Sequence, residues 1–493
     1  MHPYLLKSGI ELAGLIKRGD TTSEKVVRRH IDRLREVNPV LNAVVRARVR
    51  EALQEAKAAD ARLRDEGPDG LPPFHGVPCT IKESFQLEGM PQSAGLVSRR
   101  GQRSTEDAVT VRRMRQAGAI PIGVTNVSEL LMWVESDNRV YGRSNNPYDP
   151  GRIVGGSSGG EGAAVGAAIS PFGLGADIGG SIRGPAFFNG VFGHKPSAGL
   201  VPNTGQWPIA EGEALRYLST GPLARRAEDL WPLLTTLAGP DGEDEACEAR
   251  ELGDPATVDV ASLRVLNVAD NGTTWVHRDL RRAQADAAAA LTSRGADVEA
   301  RAYPQLQRSL HYWGAGLSAA GGTPFGVLMG DGRRKPVLPE LGRWLLRRSP
   351  HTFPAIGLAA LERIPEMLPH RTSGLLHELD DLRQRLTDDL GDDGVMLFPS
   401  YSRPAPRHHG PLLRPFDFVY TAVINVLGFP ATQVPLGLNA KGLPLGCQVV
   451  AAHGNDHLTI AVALELERAV GGWVPPRPRG RFGLRRTRIP GAP

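Results

Sequence analysis

Two glycine-rich turns enclose a short apolar segment between residues 155 and 199, and this stretch restricts the fold more than any other. The first turn is Gly-Gly-Ser-Ser-Gly-Gly-Glu-Gly from Gly155, and the second is Gly-Ala-Asp-Ile-Gly-Gly-Ser-Ile-Arg from Gly175. A flexible linker does not hold an apolar helical segment such as residues 163–169 between its glycines. Glycines beside a serine let backbone N–H groups converge on one point, because they lack a Cβ atom. The pattern predicts an anion-binding nest of the kind that an oxyanion requires.

Helical and strand-like patterns alternate along the chain. A capping-box pattern from Thr21 to Glu24 starts the first clear helix. The main predicted elements are helices at about residues 23–37, 48–65, 108–117, 279–294 and 455–470, and strands at about 77–82, 119–124, 263–268, 395–398 and 448–450. This alternation is typical of the α/β class.

The composition is that of a globular enzyme. Of the 493 residues, 41% are hydrophobic and 23% are charged, which provides ample material for a core. We predict a single domain over residues 1–475, with a helical N-terminal part at about 1–66 and a helical cap or insertion at about 305–388. A basic tail rich in proline and arginine follows at 476–493.

The positive charge of the chain is concentrated near this tail. Six arginines and no acidic residue lie between Val474 and Pro493, and without them the formal net charge of +5 becomes −1. A nearly neutral body does not favour nucleic acid as a partner, and a short tail of this composition is usually solvated. We therefore expect no nucleic-acid partner, while the sequence leaves a homodimer open.

No pattern indicates secretion or an integral membrane segment. The three cysteines are far apart and odd in number, as is usual in a reducing compartment. The N-terminus lacks the pattern of a signal peptide. An uncharged run from Phe418 to Ala440 is long enough to span a bilayer, but glycines and prolines interrupt it, and we predict a buried strand and turn there. We expect a cytoplasmic protein, with peripheral membrane contact left open.

Two motif matches do not fit their surroundings. Residues 155–159 match the G-x-S-x-G nucleophile elbow, but the preceding strand is too short and no acid and histidine pair stands out downstream. His453 and His457 have the spacing of a zinc-binding pair, but a glycine replaces the glutamate of that motif and no third ligand is evident. Walker A and dinucleotide fingerprints are also missing. We therefore expect neither a metal nor a cofactor.

A lysine and two serines are the best candidates for catalysis. Lys82 follows a short apolar strand, and burial there lowers a lysine pKa so that the neutral amine can act as a base. Ser158 and Glu161 have the spacing of a capping box for the next helix. A capping role for Ser158 leaves Ser157 available for chemistry. Ser181 lies 24 residues beyond Ser157, in the second glycine turn.

With these motifs in this order, the chain resembles the amidase signature family of hydrolases. The similarity covers roughly residues 5–475 and is greatest to the fatty-acid amide hydrolases, in particular the second vertebrate type. It implies an α/β fold with a large twisted mixed β-sheet sandwiched between α-helices. Besides the two glycine turns, the matching motifs are Gly-Val-Pro-x-x-x-Lys ending at Lys82, Gly-His-Lys-Pro-Ser from Gly193, Thr125-Asn-Val-Ser-Glu-Leu, Tyr141-Gly-Arg-Ser-Asn-Asn-Pro-Tyr, Ala405-Pro-Arg-His-His and Leu427-Gly-Phe-Pro-Ala-Thr-Gln.

The resemblance implies a role for each candidate residue. Lys82 is expected to be the general base, Ser157 the bridging serine and Ser181 the nucleophile. In the family, a cis peptide bond precedes the bridging serine, which directs attention to the bond between Gly156 and Ser157. The residues expected to supply backbone N–H groups to the oxyanion hole are Ile178, Gly179, Gly180 and Ser181, and those expected to brace this nest are Asp177 and Arg183.

The implied function is hydrolysis of a carboxylic amide through a Ser-Ser-Lys relay and an acyl-enzyme. Its partner is then a small-molecule amide, in which an apolar or fatty acyl chain is expected. Two segments are candidates for the wall of an acyl tunnel: Leu131, Met132 and Trp133, and the stretch from Leu310 to Gly330, which fits an ordinary core as well. The alternatives are a glutaminase subunit of a tRNA-dependent amidotransferase and a non-catalytic binding protein on the same scaffold.

Overall fold

An eleven-stranded mixed β-sheet forms the centre of the described part of the chain. A computed structural model describes residues 1–477 apart from 209, 211, 331 and 363–371, so the predicted basic tail lies almost entirely outside the described residues. The strands are β1 (Val44–Ala47), β2 (Val77–Lys82), β3 (Ala119–Thr125), β4 (Asp137–Asn138), β5 (Gly142–Arg143), β6 (Phe172–Asp177), β7 (Phe192–Lys195), β8 (Ser219–Ala224), β9 (Arg264–Asn267), β10 (Asp297–Ala300), β11 (Gly394–Phe398), β12 (Ala431–Leu438) and β13 (Pro444–Ala451).

The strand order across the sheet is β1-β3-β2-β6-β8-β7-β12-β13-β11-β9-β10, and β4 and β5 form a separate two-stranded sheet. Two groups of strands are parallel within themselves, β3 with β2 and β6, and β11 with β9 and β10. The strands between these groups pair antiparallel, as β1 does with β3. The mixed sheet that the resemblance implied is thus confirmed.

Helices cover both faces of this sheet. Strand β11 shows the two faces directly, because Val395 and Leu397 belong to one hydrophobic core whereas Met396 and Phe398 belong to another. The sandwich architecture is therefore confirmed. The described helices are α1 (Gly9–Lys17), α2 (Ser23–Leu41), α3 (Val49–Glu66), α4 (Val109–Gln116), α5 (Gly159–Gly166), α6 (Arg183–Phe188), α7 (Leu230–Leu237), α8 (Arg278–Arg294), α9 (Ser309–Ala319), α10 (Phe325–Leu328), α11 (Val337–Leu345), α12 (Phe353–Leu361), α13 (Thr372–Leu390), α14 (Val419–Leu427) and α15 (Asp456–Val470).

The strand and turn predicted from Phe418 to Ala440 is wrong in its first half, which is the helix α14. Every residue of α14 is buried, so no polar face shows helical spacing in the sequence. The helix ends at Gly428, which has a φ of 77° and leaves the chain free to turn into β12. None of the described helices is long and apolar enough to cross a membrane.

Other local differences concern strands and caps. Strand β8 was not predicted because it contains Gly221 and Pro222, residues that are rare inside central strands. Strand β1 lies within the part of the chain predicted to be helical. Helix α2 is capped by the Thr22 side chain, which accepts a hydrogen bond from the N–H of Lys25 at 3.2 Å, so the predicted box starting at Thr21 is displaced by one residue.

Candidate active site

Three neighbouring strands place polar side chains at one edge of the sheet. Lys82, Thr125 and Asp177 are the last residues of β2, β3 and β6. These strands are parallel, so their carboxyl ends lie at the same edge, where open α/β sheets commonly bind ligands. The two glycine-rich turns lie against this edge, since the Lys82 amine contacts both of them. The fold therefore brings Lys82 together with the serine-bearing turns.

Lys82 is held directly beside the predicted bridging serine. Its Nζ atom lies 2.8 Å from Ser157 Oγ and 3.3 Å from the carbonyl oxygen of Ala176. Burial lowers the pKa of Lys82 to about 7, even though the Asp177 and Glu161 carboxyl groups act in the opposite direction. A substantial fraction of this amine is therefore neutral near neutral pH and can accept a proton.

The capping box predicted for Ser158 and Glu161 is wrong. Ser158 starts helix α5, but its side chain makes no capping hydrogen bond. Its hydroxyl instead donates to the carbonyl of Ala176 at 3.3 Å and accepts from the Ala176 N–H at 3.4 Å. The Glu161 carboxyl accepts hydrogen bonds from Thr80 at 2.7 Å and Thr125 at 2.9 Å, and burial raises its pKa to about 8. Since α5 is buried on all sides, both side chains turn towards the sheet.

Ser181 lines a cavity. It is 9% exposed, and its carbonyl accepts a hydrogen bond from the N–H of Ser158 at 3.3 Å. The peptide bond between Gly156 and Ser157 is cis, as the resemblance suggested. Position 156 requires glycine, because a Cβ atom there would lie 2.1 Å from the carbonyl oxygen of Trp133. The structure places no hydrogen bond between the hydroxyls of Ser157 and Ser181, both of which are described residues.

Asp177 and Arg183 form a buried ion pair beneath the second glycine turn. The Asp177 carboxylate accepts from the guanidinium group twice, at 3.1 Å each, and from the N–H groups of Gly180 at 2.6 Å and Ile182 at 3.0 Å. Burial opposes ionisation, but the Arg183 charge and these hydrogen bonds hold the pKa of Asp177 well below its usual value. These contacts connect the pair to the backbone of the turn.

The carbonyl groups of this turn are held from the outside. Each peptide from residue 177 to 181 has its oxygen in a hydrogen bond, so its orientation is fixed. In a trans peptide the N–H points opposite to the C=O. The anchors are Asn425 Nδ2 for Asp177 at 2.9 Å, Trp313 Nε1 for Ile178 at 2.9 Å, Thr421 Oγ1 for Gly179 at 2.9 Å and the Gly184 N–H for Gly180 at 2.7 Å.

This arrangement revises the predicted oxyanion hole. The Gly180 N–H is already bonded to Asp177, and Gly180 does not line the cavity. Ile178, Gly179 and Ser181 all line it, and among the described residues none accepts a hydrogen bond from their N–H groups. Gly180 is required for another reason: its φ is 117°, and a Cβ atom would lie 2.1 Å from Thr421 Oγ1. Three amides, rather than the four predicted, remain available for an oxyanion.

A cavity of about 550 Å³ opens above Ser181. Leu131, Met132 and Trp133 lie in its wall. Only the first half of the stretch from Leu310 to Gly330 contributes residues to the cavity lining. Near its end, Met329 packs into a separate apolar cluster. Within the part of the chain that the structure describes, no lining residue is acidic, and His311 alone has a basic side chain. The other described residues of the lining are Val134, Gly156, Ile178, Gly179, Leu310, Trp313, Gly314, Ala315, Ser318, Leu358, Leu375, Pro415, Phe416 and Phe418.

Sequence reasoning missed the three side chains that anchor the glycine turn, Trp313, Thr421 and Asn425. Thr421 and Asn425 are four residues apart in an otherwise apolar run, a spacing that places them on one face of a helix. That spacing was the available signal. Trp313 carried no signal beyond its place in an apolar stretch. Among the described residues, no group of histidines, cysteines or carboxylates could hold a metal ion.

Comparison with known proteins shows similarity along almost the whole chain. The family described as Amidase matches residues 25–460. The chain is 47% identical to human fatty-acid amide hydrolase 2, over 97% of this chain and 91% of that protein. It is 30% identical to the acylamidase of Rhodococcus erythropolis, over 96% of this chain and 97% of that protein. A solved structure of 6-aminohexanoate cyclic dimer hydrolase complexed with substrate superimposes with a TM-score of 0.79 at 26% identity, covering 94% of this chain and 97% of that one.

Proposed function

Because the chain belongs to the amidase family, we propose that it hydrolyses amides of long apolar acyl chains, with Ser181 as the nucleophile. Amide hydrolysis itself follows from its similarity to amide-hydrolysing relatives along nearly the whole chain. The acyl preference rests chiefly on one observation, the largely apolar cavity that Ser181 lines. Its volume of about 550 Å³ lies within the range of small-molecule sites. The similarity to human fatty-acid amide hydrolase 2 supports the same substrate class.

The proposed reaction begins with a proton relay. Neutral Lys82 takes the hydroxyl proton of Ser157 across their 2.8 Å contact, while Ser157 takes the proton of Ser181. The Ser181 oxygen attacks the amide carbonyl, and the new oxyanion accepts hydrogen bonds from the N–H groups of Ile178, Gly179 and Ser181. The contact between the two serines closes when substrate binds, because catalytic hydrogen bonds are often long in unliganded enzymes.

The same relay completes the reaction in reverse. Ser157 gives its proton to the amide nitrogen as the C–N bond breaks. Without this proton the nitrogen would have to leave as an amide anion, which is a very poor leaving group. Lys82 returns a proton to Ser157. The product of this half of the reaction is an ester between the acyl group and Ser181. A water molecule then attacks this ester and gives a proton to the relay. The bond between the acyl carbon and the Ser181 oxygen breaks, the relay returns the proton to Ser181, and the carboxylic acid is released. Every proton taken in one half of the cycle is returned in the other.

The cavity favours this function over a glutaminase. Glutamine carries an ammonium and a carboxylate group. Burying either charge without a partner costs on the order of several kcal/mol, even after the protein relaxes around it. Among the described residues that line the cavity, none is acidic and only His311 is basic. Assays of the isolated chain with glutamine and with acyl amides separate the two functions. Labelling of Ser181 by a fluorophosphonate tests whether the protein is catalytic at all.

Acyl chain length is expected to raise kcat/KM steeply. Each buried methylene contributes roughly 0.8 kcal/mol, so each added carbon raises kcat/KM about threefold to fourfold until the cavity is full. The measurement is kcat/KM across one series of acyl p-nitroanilides, from acetyl to hexadecanoyl. A profile that is flat, or that falls beyond about four carbons, contradicts the fatty-amide proposal and leaves a general amidase.

Peripheral contact with a lipid bilayer is the second part of the proposal. Leu345 and Leu346 at the end of α11 are each 69% exposed, and Leu413 is 87% exposed, three residues before the cavity-lining Phe416. We propose that these four residues face one surface, and we call them the apolar rim. Three exposed arginines, Arg343, Arg347 and Arg348, flank the two leucines of α11. Exposed apolar side chains with neighbouring cations are typical of proteins that bind anionic membrane surfaces.

Replacing two leucines of the rim tests this contact. Leu345→Ser with Leu346→Ser is expected to lower binding to phosphatidylserine-containing vesicles about tenfold or more, because each change removes apolar surface from the lipid interface. Sedimentation with vesicles of neutral and of anionic composition measures the effect. Hydrolysis of a soluble short-chain anilide serves as the control and is expected to stay unchanged, since neither leucine lines the cavity. Equal vesicle binding by variant and parent overturns the membrane proposal.

A further inference from the structure

We propose that Trp313 is a positioning residue for the oxyanion hole, a role separate from its place in the cavity wall. This inference rests on the proposed function, because it concerns the amides that receive the oxyanion. The indole N–H of Trp313 donates to the carbonyl of Ile178 at 2.9 Å. That carbonyl belongs to the same peptide group as the N–H of Gly179, one of the three amides available in the cavity.

The geometry around the indole ring holds this hydrogen bond in one orientation. A Cβ atom on Gly179 would lie 3.3 Å from the ring, so the glycine backbone packs closely against it. On another side the ring meets Phe418 in an edge-to-face contact, with 5.1 Å between ring centroids. Packing on two sides leaves the indole little freedom to rotate, and the N–H therefore points steadily at Ile178.

Among the anchors of the turn, Trp313 alone comes from the helical segment that forms the cavity wall. Asn425 and Thr421 belong to α14 and hold the peptides on either side. Without the indole N–H, the Ile178 carbonyl loses the partner that the structure gives it, and the peptide between residues 178 and 179 can rotate. Rotation removes the Gly179 N–H from the oxyanion. Loss of a whole oxyanion donor costs about 10² to 10³ in kcat, and a loosened donor costs less, on the order of tenfold.

Trp313→Phe separates the two roles, because phenylalanine keeps an aromatic wall and removes the N–H. We expect kcat to fall about tenfold for butanoyl and dodecanoyl anilides alike, with KM changed less than about twofold. The rate of Ser181 phosphonylation by a fluorophosphonate should fall by a similar factor, since the phosphonyl oxygen occupies the same hole. A protein with 3-benzothienylalanine at position 313, which has the shape of tryptophan with sulfur in place of the N–H, should show the same loss.

Trp473→Phe is the matched control, since the indole N–H of Trp473 also donates to a backbone carbonyl, that of Gly166 at 3.1 Å, and Trp473 does not line the cavity. It should leave kcat for both anilides and the phosphonylation rate unchanged. If both position-313 variants behave like this control, Trp313 is only a wall residue and the inference is overturned. If the parent protein itself neither labels at Ser181 nor hydrolyses anilides, the proposed function fails instead, so the two failures are distinguishable.

Discussion

Ser181→Ala is expected to lower kcat at least about 10⁴-fold, because the nucleophile of an acyl-transfer relay has no substitute. Ser181 lines the cavity together with Ile178 and Gly179. Steady-state hydrolysis of a dodecanoyl anilide measures the loss, and intact-mass analysis after fluorophosphonate treatment checks that labelling disappears. The folded state should persist, since the Ser181 side chain makes no hydrogen bond within the described residues.

Ser158→Ala is the matched control for this variant. Among the described residues its hydroxyl is hydrogen-bonded only to the backbone of Ala176, so its removal should reduce the free energy of unfolding by about 1 kcal/mol and leave kcat within a few fold. Urea unfolding and the anilide assay give the two quantities. If Ser158→Ala proves as inactive as Ser181→Ala, the assignment of the adjacent serines 157 and 158 is wrong.

Lys82→Ala is expected to lower kcat about 10³- to 10⁴-fold and to abolish the acidic limb of the pH profile. Burial lowers the pKa of Lys82 to about 7. The neutral amine therefore rises from about a tenth of the molecules at pH 6 to about nine-tenths at pH 8. The parent enzyme should lose activity as the pH falls through about 7 and reach a plateau above about pH 8.

The Lys82→Ala variant is needed to identify the base, because burial lowers the pKa of Lys195 to about 7 as well. Its Nζ atom donates to Pro196 and Ser219, away from the serine relay. A wild-type profile alone therefore does not identify the base. The residual activity of Lys82→Ala should be independent of pH between about 6 and 8. A rising limb that persists there assigns the titration to Lys195 or another group and removes Lys82 from the role of base.

The candidate site at the edge of the sheet could be recognised from the sequence because each of its parts is local. Lys82 ends an apolar strand, and Ser157 and Ser181 lie within short glycine motifs, so neighbours in sequence are enough to recognise them. The anchors could not be predicted in the same way. Trp313 reaches across 135 positions and Asn425 across 248, and nothing near either residue shows which backbone atom it will meet.

The fold was predictable to a similar extent. Alternating helices and strands fixed the class, whereas the order of strands could not be read from the sequence. Burial explains the main error: α14 is buried on every side and therefore lacks the periodicity by which a helix is recognised. Ser158 and Glu161 show the converse problem. Their spacing fits a cap, but α5 is so enclosed that the sheet supplies nearer partners for both side chains.

The anchoring of the glycine turn by α14 has a consequence for how the enzyme is made. Thr421 is translated 242 residues after the Gly179 carbonyl that it holds. At ~5 to 20 residues per second, the ribosome needs about 10 to 50 s to cover that distance. During this interval the nascent chain already contains Lys82 and both serines, but the carbonyl groups of Asp177 and Gly179 lack the α14 side chains that hold them. We therefore expect the polypeptide to stay inactive until α14 has been translated, and a translation product that ends before α14 should not hydrolyse amides.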